Sequence, residues 1–85
     1  MMEILDFYAD WCGPCQMLKP IMEEFKKAHP EIKVTEVNID KEEELIEKYG
    51  VVGIPCLVVL KDGKEVKREA GNLSLKKIEK LVDLK

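Results

Sequence analysis

Two cysteines separated by a glycine and a proline constrain this chain more than any other feature of its sequence. A mostly apolar run over residues 4–9 leads to Asp10-Trp11 and then directly to Cys12-Gly13-Pro14-Cys15. Thiols three positions apart at the start of a helix can close a disulfide and reopen it, which makes them a two-electron redox couple. The motif therefore predicts thiol–disulfide exchange.

The segment after the motif has the periodicity of an amphipathic helix over residues 14–28, with apolar side chains on one face. Those side chains are Leu18, Ile21, Met22, Phe25 and Ala28. Cys12 then lies at the helix N-terminus, where free N–H groups and the helix dipole favour an anion, so we expect a lowered pKa and a nucleophilic thiolate. Cys15 lies one turn further in, so we expect it to be more shielded and to resolve a mixed disulfide formed on Cys12. Pro14 suits the first helical turn, where its missing N–H costs nothing.

A zinc site and a purely structural disulfide are the alternative interpretations of the cysteine pair. Zinc would need two more ligands, and only Cys56 and His29 are available, neither in a paired spacing. A structural bridge across four residues would constrain little of the unfolded chain. The odd number of cysteines, 3, also argues against a secreted disulfide framework. We therefore expect no metal.

Length and composition predict one globular domain over residues 1–85. The chain is 46% hydrophobic and 36% charged, and its 14 basic and 17 acidic residues are interspersed, with a net charge of −3. This pattern indicates a solvated surface, not a nucleic-acid-binding patch. No apolar stretch is long enough to cross a bilayer and no secretory leader precedes the first strand, so we expect a cytoplasmic protein with no membrane partner.

The hydrophobic pattern predicts the element order βαβαββα. The predicted elements are strand 3–9, helix 14–28, strand 33–39, helix 42–48, strand 56–60, a hairpin turn at 61–64, strand 65–70 and a closing helix capped by Ser74. A strand–helix–strand crossover gives right-handed parallel pairing, and the hairpin adds antiparallel partners. The expected fold is an α/β arrangement with a mixed four-stranded sheet covered by helices.

Motifs over nearly the whole chain resemble the thioredoxin family. They are Asp6-Phe7-Tyr8-Ala9-Asp10-Trp11-Cys12-Gly13-Pro14-Cys15, Pro20, Asn38-Ile39-Asp40, Tyr49-Gly50-Val51, Gly53-Ile54-Pro55, Asp62-Gly63 and Gly71. The resemblance implies a thioredoxin-like fold and a disulfide reductase, with Pro55 as a cis-proline facing the dithiol. It also implies a partner-docking surface formed by Gly13, Pro14, Gly53, Ile54 and Gly71. No bound cofactor is expected, since the redox equivalents reside on the Cys12–Cys15 disulfide.

The chain departs from the family pattern at several places. It begins where a full-length member would already have completed a first strand and helix, so we expect one edge strand fewer. Tyr8 stands where bacterial members usually carry tryptophan, and Glu36 stands where they often carry a lysine near the buried aspartate. Cys56 replaces the usual threonine after the cis-proline.

Asp6 and Trp11 each have a functional and a structural interpretation. Asp6 is the one charged residue in the run 4–9, and because a buried carboxylate is costly we expect it to accept and return the Cys15 proton. The alternative is a partly hydrated aspartate at a strand edge. Trp11 is expected to shield the site and pack on substrate, although a core aromatic is the alternative.

Pro55 and Cys56 can be weighed in the same way. A cis bond before Pro55 would expose the Ile54 backbone for strand-like pairing with substrate, whereas a plain proline would only end the loop. Cys56 is expected to be a small buried residue without chemistry. The alternative is a third thiol open to oxidation or mixed-disulfide regulation.

The function predicted from these observations is reduction of disulfides in partner proteins by a monomer that a separate reductase regenerates. Two alternatives stay open. One is a glutaredoxin-like reductase that draws on a small thiol, and the other is a non-catalytic subunit that uses the same surface for assembly.

Overall fold

A computed structural model of the chain describes residues 1–82. The elements are strands β1 (Met2–Tyr8), β2 (Lys33–Asn38), β3 (Cys56–Lys61) and β4 (Lys64–Ala70) and helices α1 (Gly13–Ala28), α2 (Glu43–Tyr49) and α3 (Leu75–Leu81). The predicted order βαβαββα is confirmed, and the predicted bounds agree to within one residue. That residues 1–85 form one domain stays a prediction, and residues 83–85 lie outside the described part.

The four strands form one mixed sheet in the order β2-β1-β3-β4. β1 is parallel to β2 and antiparallel to β3, and β3 is antiparallel to β4. β1 is therefore an inner strand, hydrogen-bonded on both sides, and its residues 4–7 are all buried. The strand that leads into the cysteine motif lies at the centre of the described fold.

Side chains of β1 alternate between two core clusters because successive residues of a strand point to opposite faces. Ile4 packs with Leu18, Met22 and Phe25 of α1. Leu5 and Phe7 pack in the other cluster, against which side chains of α2 lie. By this alternation Asp6 shares the face of Ile4, on the side of the sheet covered by α1.

Local sequence signals determine where the elements end. Gly50 adopts a left-handed conformation, with φ of 60°, and ends α2. The β3–β4 hairpin turns through Asp62 and Gly63, whose φ angles of 52° and 85° suit the primed two-residue turns favoured by Asp-Gly. Pro20 lies inside α1, but it does not end the helix, which is 16 residues long and continues to Ala28.

Helix α3 closes the core by packing on α1. Ile78 is fully buried in the cluster that contains Phe25 and Leu18. At the same contact, His29 after the end of α1 places its Nε2 atom 2.6 Å from a carboxylate oxygen of Glu79. The contact between the two helices therefore combines buried apolar packing with the polar contact between His29 and Glu79.

We expect Ile78→Ala to lower the free energy of unfolding by about 2–4 kcal/mol, because it removes buried methyl groups and leaves a cavity between α3 and the sheet. Lys76→Ala, an exposed change on the same helix, serves as the control and should alter stability by less than about 0.5 kcal/mol. Denaturant unfolding followed by circular dichroism measures both variants. Equal stability of the two would show that α3 contributes little to the core.

Candidate active site

The two cysteines of the motif form a disulfide at the N-terminus of α1. Cys12 is the N-cap residue, and its sulfur accepts a hydrogen bond from the backbone N–H of Cys15 at 3.2 Å. Gly13 and Pro14 occupy the first two helical positions, where a proline is tolerated because the N–H it lacks would have no partner. Cys12 therefore lies at the helix N-terminus, as the sequence predicts.

Burial does not distinguish the two sulfur-bearing residues in this oxidised state. Cys12 and Cys15 are each 6% exposed, so the expectation that Cys15 is the more shielded of the pair is wrong here. Their surroundings differ instead, because Cys12 caps the helix, whereas Cys15 lies within the first turn and lines a cleft on the α1 side of the sheet. The predicted roles of attacking and resolving thiol therefore rest on position and not on burial.

Asp6 lines the same small cleft as Cys15. The aspartate is 7% exposed and lies on β1 between Glu36 of β2 and Leu57 of β3. The cleft thus brings together the buried carboxylate and the inner cysteine that the sequence analysis had assigned to one proton transfer. Asp6 is buried on an inner strand, which disfavours the alternative of a partly hydrated aspartate at a strand edge.

The pKa of Asp6 is raised to about 6, chiefly by burial, because a desolvated carboxylate is less stable than the neutral acid. The negative charge of Glu36 contributes to this rise, while the positive charge of Lys26 opposes it. A carboxyl group with a pKa near 6 can both accept and release a proton close to neutral pH, which is what acid–base work requires.

The loop before β3 contributes the next part of the site. The Ile54–Pro55 peptide bond is cis, and the backbone carbonyl of Pro55 accepts a hydrogen bond from the N–H of Gly71 at 2.8 Å. Ile54 packs against the small cluster of Ala9, Cys12 and Cys15. The structure therefore brings residues 54, 55 and 71 next to one another and Ile54 next to the disulfide.

Open surface surrounds the glycines that the family resemblance implies are docking positions. A Cβ atom built on Gly13, Gly53 or Gly71 would meet no other atom within 4 Å. Gly71 has a φ of 96°, which strongly favours glycine there.

Trp11 lies on the surface beside the disulfide and is 69% exposed, which excludes the core alternative. Its indole Nε1 donates a hydrogen bond to a carboxylate oxygen of Asp40 at 2.9 Å. Sequence reasoning missed this role of Asp40, although the residue belongs to the quoted Asn38-Ile39-Asp40 motif. It also missed Val52, a fully exposed apolar residue next to Gly53.

Cys56 is buried among the side chains on the α2 side of the sheet. It lies opposite Phe7 of β1 and Ala70 of β4. Burial raises the pKa of the Cys56 thiol, which makes it a poorer nucleophile than a free thiol at neutral pH. These surroundings favour a packing role.

A metal site and a membrane-spanning helix are both absent from residues 1–82. No group of three or more histidine, cysteine or acidic side chains in this range is arranged to hold a metal ion. No helix in the same range is long and apolar enough to cross a membrane.

Comparison with known proteins gives a consistent result. The sequence profile of the Thioredoxin family matches residues 2–84. A thioredoxin of Chlamydia trachomatis is 44% identical over 68 residues, which cover 80% of this chain and 67% of the relative. A thioredoxin of Bacillus subtilis is 38% identical over 81 residues, which cover 94% and 78%.

Solved structures agree with the sequence relatives. The crystal structure of Fasciola hepatica thioredoxin matches with a TM-score of 0.90 at 39% identity and covers 99% of this chain and 81% of its own. Oxidised mitochondrial thioredoxin 3 of Saccharomyces cerevisiae matches with a TM-score of 0.89 at 28% identity, with coverage of 98% and 78%. With its disulfide at the N-terminus of α1, the chain belongs to the thioredoxin family and is a thiol–disulfide oxidoreductase of the protein-disulfide reductase type.

Proposed function

We propose that this protein reduces exposed disulfides in partner proteins through the Cys12–Cys15 dithiol, with Asp6 as the proton acceptor. The observation that carries the proposal is the cleft that Asp6 and Cys15 line together, with Cys15 disulfide-bonded to the N-cap residue Cys12. A purely structural disulfide has no use for a buried carboxylate in the same cleft. An exchange cycle uses such a carboxylate as a proton acceptor.

The first half of the cycle belongs to Cys12. Its thiolate attacks one sulfur of the partner disulfide, forming a mixed disulfide, and the other partner sulfur leaves as a thiolate that takes a proton from solvent. The backbone N–H of Cys15 donates to the Cys12 sulfur, and the adjacent helix N-terminus favours negative charge there. The same contacts stabilise the Cys12 thiolate before attack.

The second half belongs to Cys15 and Asp6. Asp6 takes the proton from the Cys15 thiol, the resulting thiolate attacks the Cys12 sulfur, and the second partner sulfur leaves as a thiolate that is then protonated. The partner has gained two electrons and two protons, and the Cys12–Cys15 disulfide has formed. Asp6 returns its proton when the dithiol is restored.

The docking surface we propose surrounds the disulfide. Trp11, Gly13 and Pro14 adjoin the disulfide in the chain, Ile54 packs against it, and Gly71 is hydrogen-bonded to Pro55. The open space at the three glycines leaves room for a partner backbone to approach. An extended partner segment can pair there with backbone groups of Ile54.

The resemblance to thioredoxins supports the remaining parts of the proposal. We propose that the protein works as a monomer in the cytoplasm and needs no cofactor beyond its own disulfide. A separate reductase restores the dithiol. Assays that supply either a flavin-dependent thioredoxin reductase or a pool of small thiols distinguish this donor from the glutaredoxin-like alternative.

We expect Cys12→Ser to abolish reduction of a protein disulfide in the presence of dithiothreitol, because the attacking sulfur is lost. Cys15→Ser should instead accumulate a covalent mixed disulfide through Cys12, since nothing resolves it. Peptide mapping of the trapped species identifies the linked cysteine. Trapping mainly through Cys56, or full turnover by Cys12→Ser, would overturn the assignment.

Cys56→Thr should leave turnover within about threefold of wild type, because Cys56 is buried and its raised pKa disfavours the thiolate. Steady-state reduction under non-oxidising conditions measures the effect. A loss of about tenfold or more, equivalent to about 1.4 kcal/mol in the barrier, would mean that the third thiol takes part.

Asp6 should have opposite effects on stability and on activity. Its folded-state pKa is raised from 3.8 to about 6, so its contribution is fully favourable below pH 3.8 and is lost as the pH rises through about 6. This rise in the pKa of Asp6 corresponds to about 3 kcal/mol of destabilisation at neutral pH. The ionised form is the one that chemistry needs and the fold disfavours.

We therefore expect Asp6→Asn and Asp6→Leu to be more stable than wild type at pH 7 by about 1–3 kcal/mol, with a smaller difference at pH 4. Turnover should fall by at least about tenfold, because Cys15 has lost its proton acceptor. Denaturant melts of the oxidised proteins at both pH values, with reductase assays, measure the two effects. A less stable variant with full activity would contradict both expectations.

A further inference from the structure

Glu36 lies beside Asp6 in the cleft and has no part in the mechanism above. The two residues are direct partners in the parallel pairing of β1 with β2, so their side chains lie next to each other on the same face of the sheet. Both line the cleft that contains Cys15. The structure thus places a second carboxylate next to the proton acceptor.

A lysine of α1 lies close to Glu36. The Nζ atom of Lys26 lies 3.7 Å from a carboxylate oxygen of Glu36 and 3.3 Å from a carboxylate oxygen of Glu23. The Glu36 side chain is 45% exposed, in contrast to the buried Asp6. One carboxylate of the pair is therefore well exposed to water, while the other is largely shielded from it.

We propose that Glu36 is a positioning residue for disulfide exchange: its carboxylate, at the register position beside Asp6, makes Asp6 a stronger proton acceptor for Cys15. Two carboxylates side by side disfavour double ionisation, so the buried one holds a proton more tightly than it would alone. The direction of the effects of Glu36 and Lys26 on the pKa of Asp6 agrees with this geometry. The inference rests on the proposed function, since it assigns a role within that exchange cycle.

The charged and titratable groups around Asp6 come from every side of the cleft. They are Tyr8 of β1, Asp10 of the following loop, Cys15, Lys19 and Lys26 of α1, and Glu36 of β2. On the other side β3 places apolar Leu57 beside Asp6, and Cys56 lies on the opposite face of the sheet. Glu36 is the register partner of Asp6 among these groups, and its position is the reason to single it out.

The variants Glu36→Gln, Lys26→Gln and Glu23→Gln test the proposal. Glu36→Gln keeps the shape of the side chain and removes its charge. Lys26→Gln removes the positive charge that opposes it. Glu23→Gln is the matched control, because Glu23 contacts the same Lys26 nitrogen but does not line the cleft.

The primary measurement is an NMR titration of the Asp6 carboxyl carbon in the oxidised proteins between pH 3 and 9, with Asp6→Asn to assign the signal. We expect Glu36→Gln to lower the titration midpoint of Asp6 by about one pH unit and Lys26→Gln to raise it. Glu23→Gln should leave the midpoint within about 0.3 pH unit of wild type, since its contact is exposed. Loosening of the cleft would hydrate Asp6 and lower the midpoint in every variant, so the rise in Lys26→Gln separates charge from structure.

The second measurement is the pH profile of protein-disulfide reduction. The acidic limb of the profile, where Asp6 must lose its proton to act, should move to lower pH in Glu36→Gln by the amount seen in the titration. An unmoved Asp6 midpoint, an equal shift in Glu23→Gln, or an acidic limb that does not follow the midpoint would overturn the proposal.

The two measurements also separate this inference from the proposed function. If wild type reduces protein disulfides and the Asp6 midpoint does not respond to Glu36→Gln, only the role of Glu36 is lost. If wild type shows no turnover, the proposed function fails and the role of Glu36 in exchange fails with it, even where the titration still reveals coupling between the two carboxylates.

Discussion

The pairing of β1 on both of its sides is the constraint on which the rest of the site depends. Parallel bonds to β2 and antiparallel bonds to β3 make it an inner strand, and its residues 4–7 are buried between the two helical layers. Because an inner strand has little freedom to shift, its end fixes where the next segment begins. That segment is the Cys12–Cys15 turn and the N-terminus of α1.

The same strand places a carboxylate where a core would ordinarily have an apolar side chain. Asp6 alternates with Leu5 and Phe7, which pack on the α2 side, and so faces α1 and the cleft below Cys15. Burying a charge is unfavourable unless it is compensated, and the pKa of about 6 expresses that cost. The fold thus holds a carboxyl group whose ionised form it disfavours, at the place where the proposed function needs a proton to be taken and returned.

Helix α1 connects the chemistry to the core. Its first turn carries both sulfur atoms, while its later apolar residues, such as Leu18 and Phe25, pack against the sheet and α3. Lys26, near the C-terminal end of the same helix, reaches back across to Glu36 of β2. One element therefore positions the disulfide, shields Asp6 and brings an opposing charge to the neighbouring carboxylate.

The sequence by itself determined the element order, the bounds of the elements to within one residue, and the placement of Cys12 at a helix N-terminus. These are local properties: apolar periodicity, the Asp-Gly turn, the Gly50 end of α2 and the Ser74 cap all act within a few residues. The departure at Glu36 was also visible in the sequence, but its meaning was not. Which side chains meet across strands depends on register, and register is set by the packed sheet.

Tertiary structure alone decided the equal burial of the two cysteines, the hydrogen bond from Trp11 to Asp40 and the shared cleft of Asp6, Cys15 and Glu36. Each of these joins residues that are distant in the chain or differ only in their surroundings. Desolvation and neighbouring charges arise when strands and helices pack together, so the proton affinity of Asp6 is a property of the assembled fold. The thiol pair, in contrast, lies within four consecutive residues of the sequence, Cys12 to Cys15.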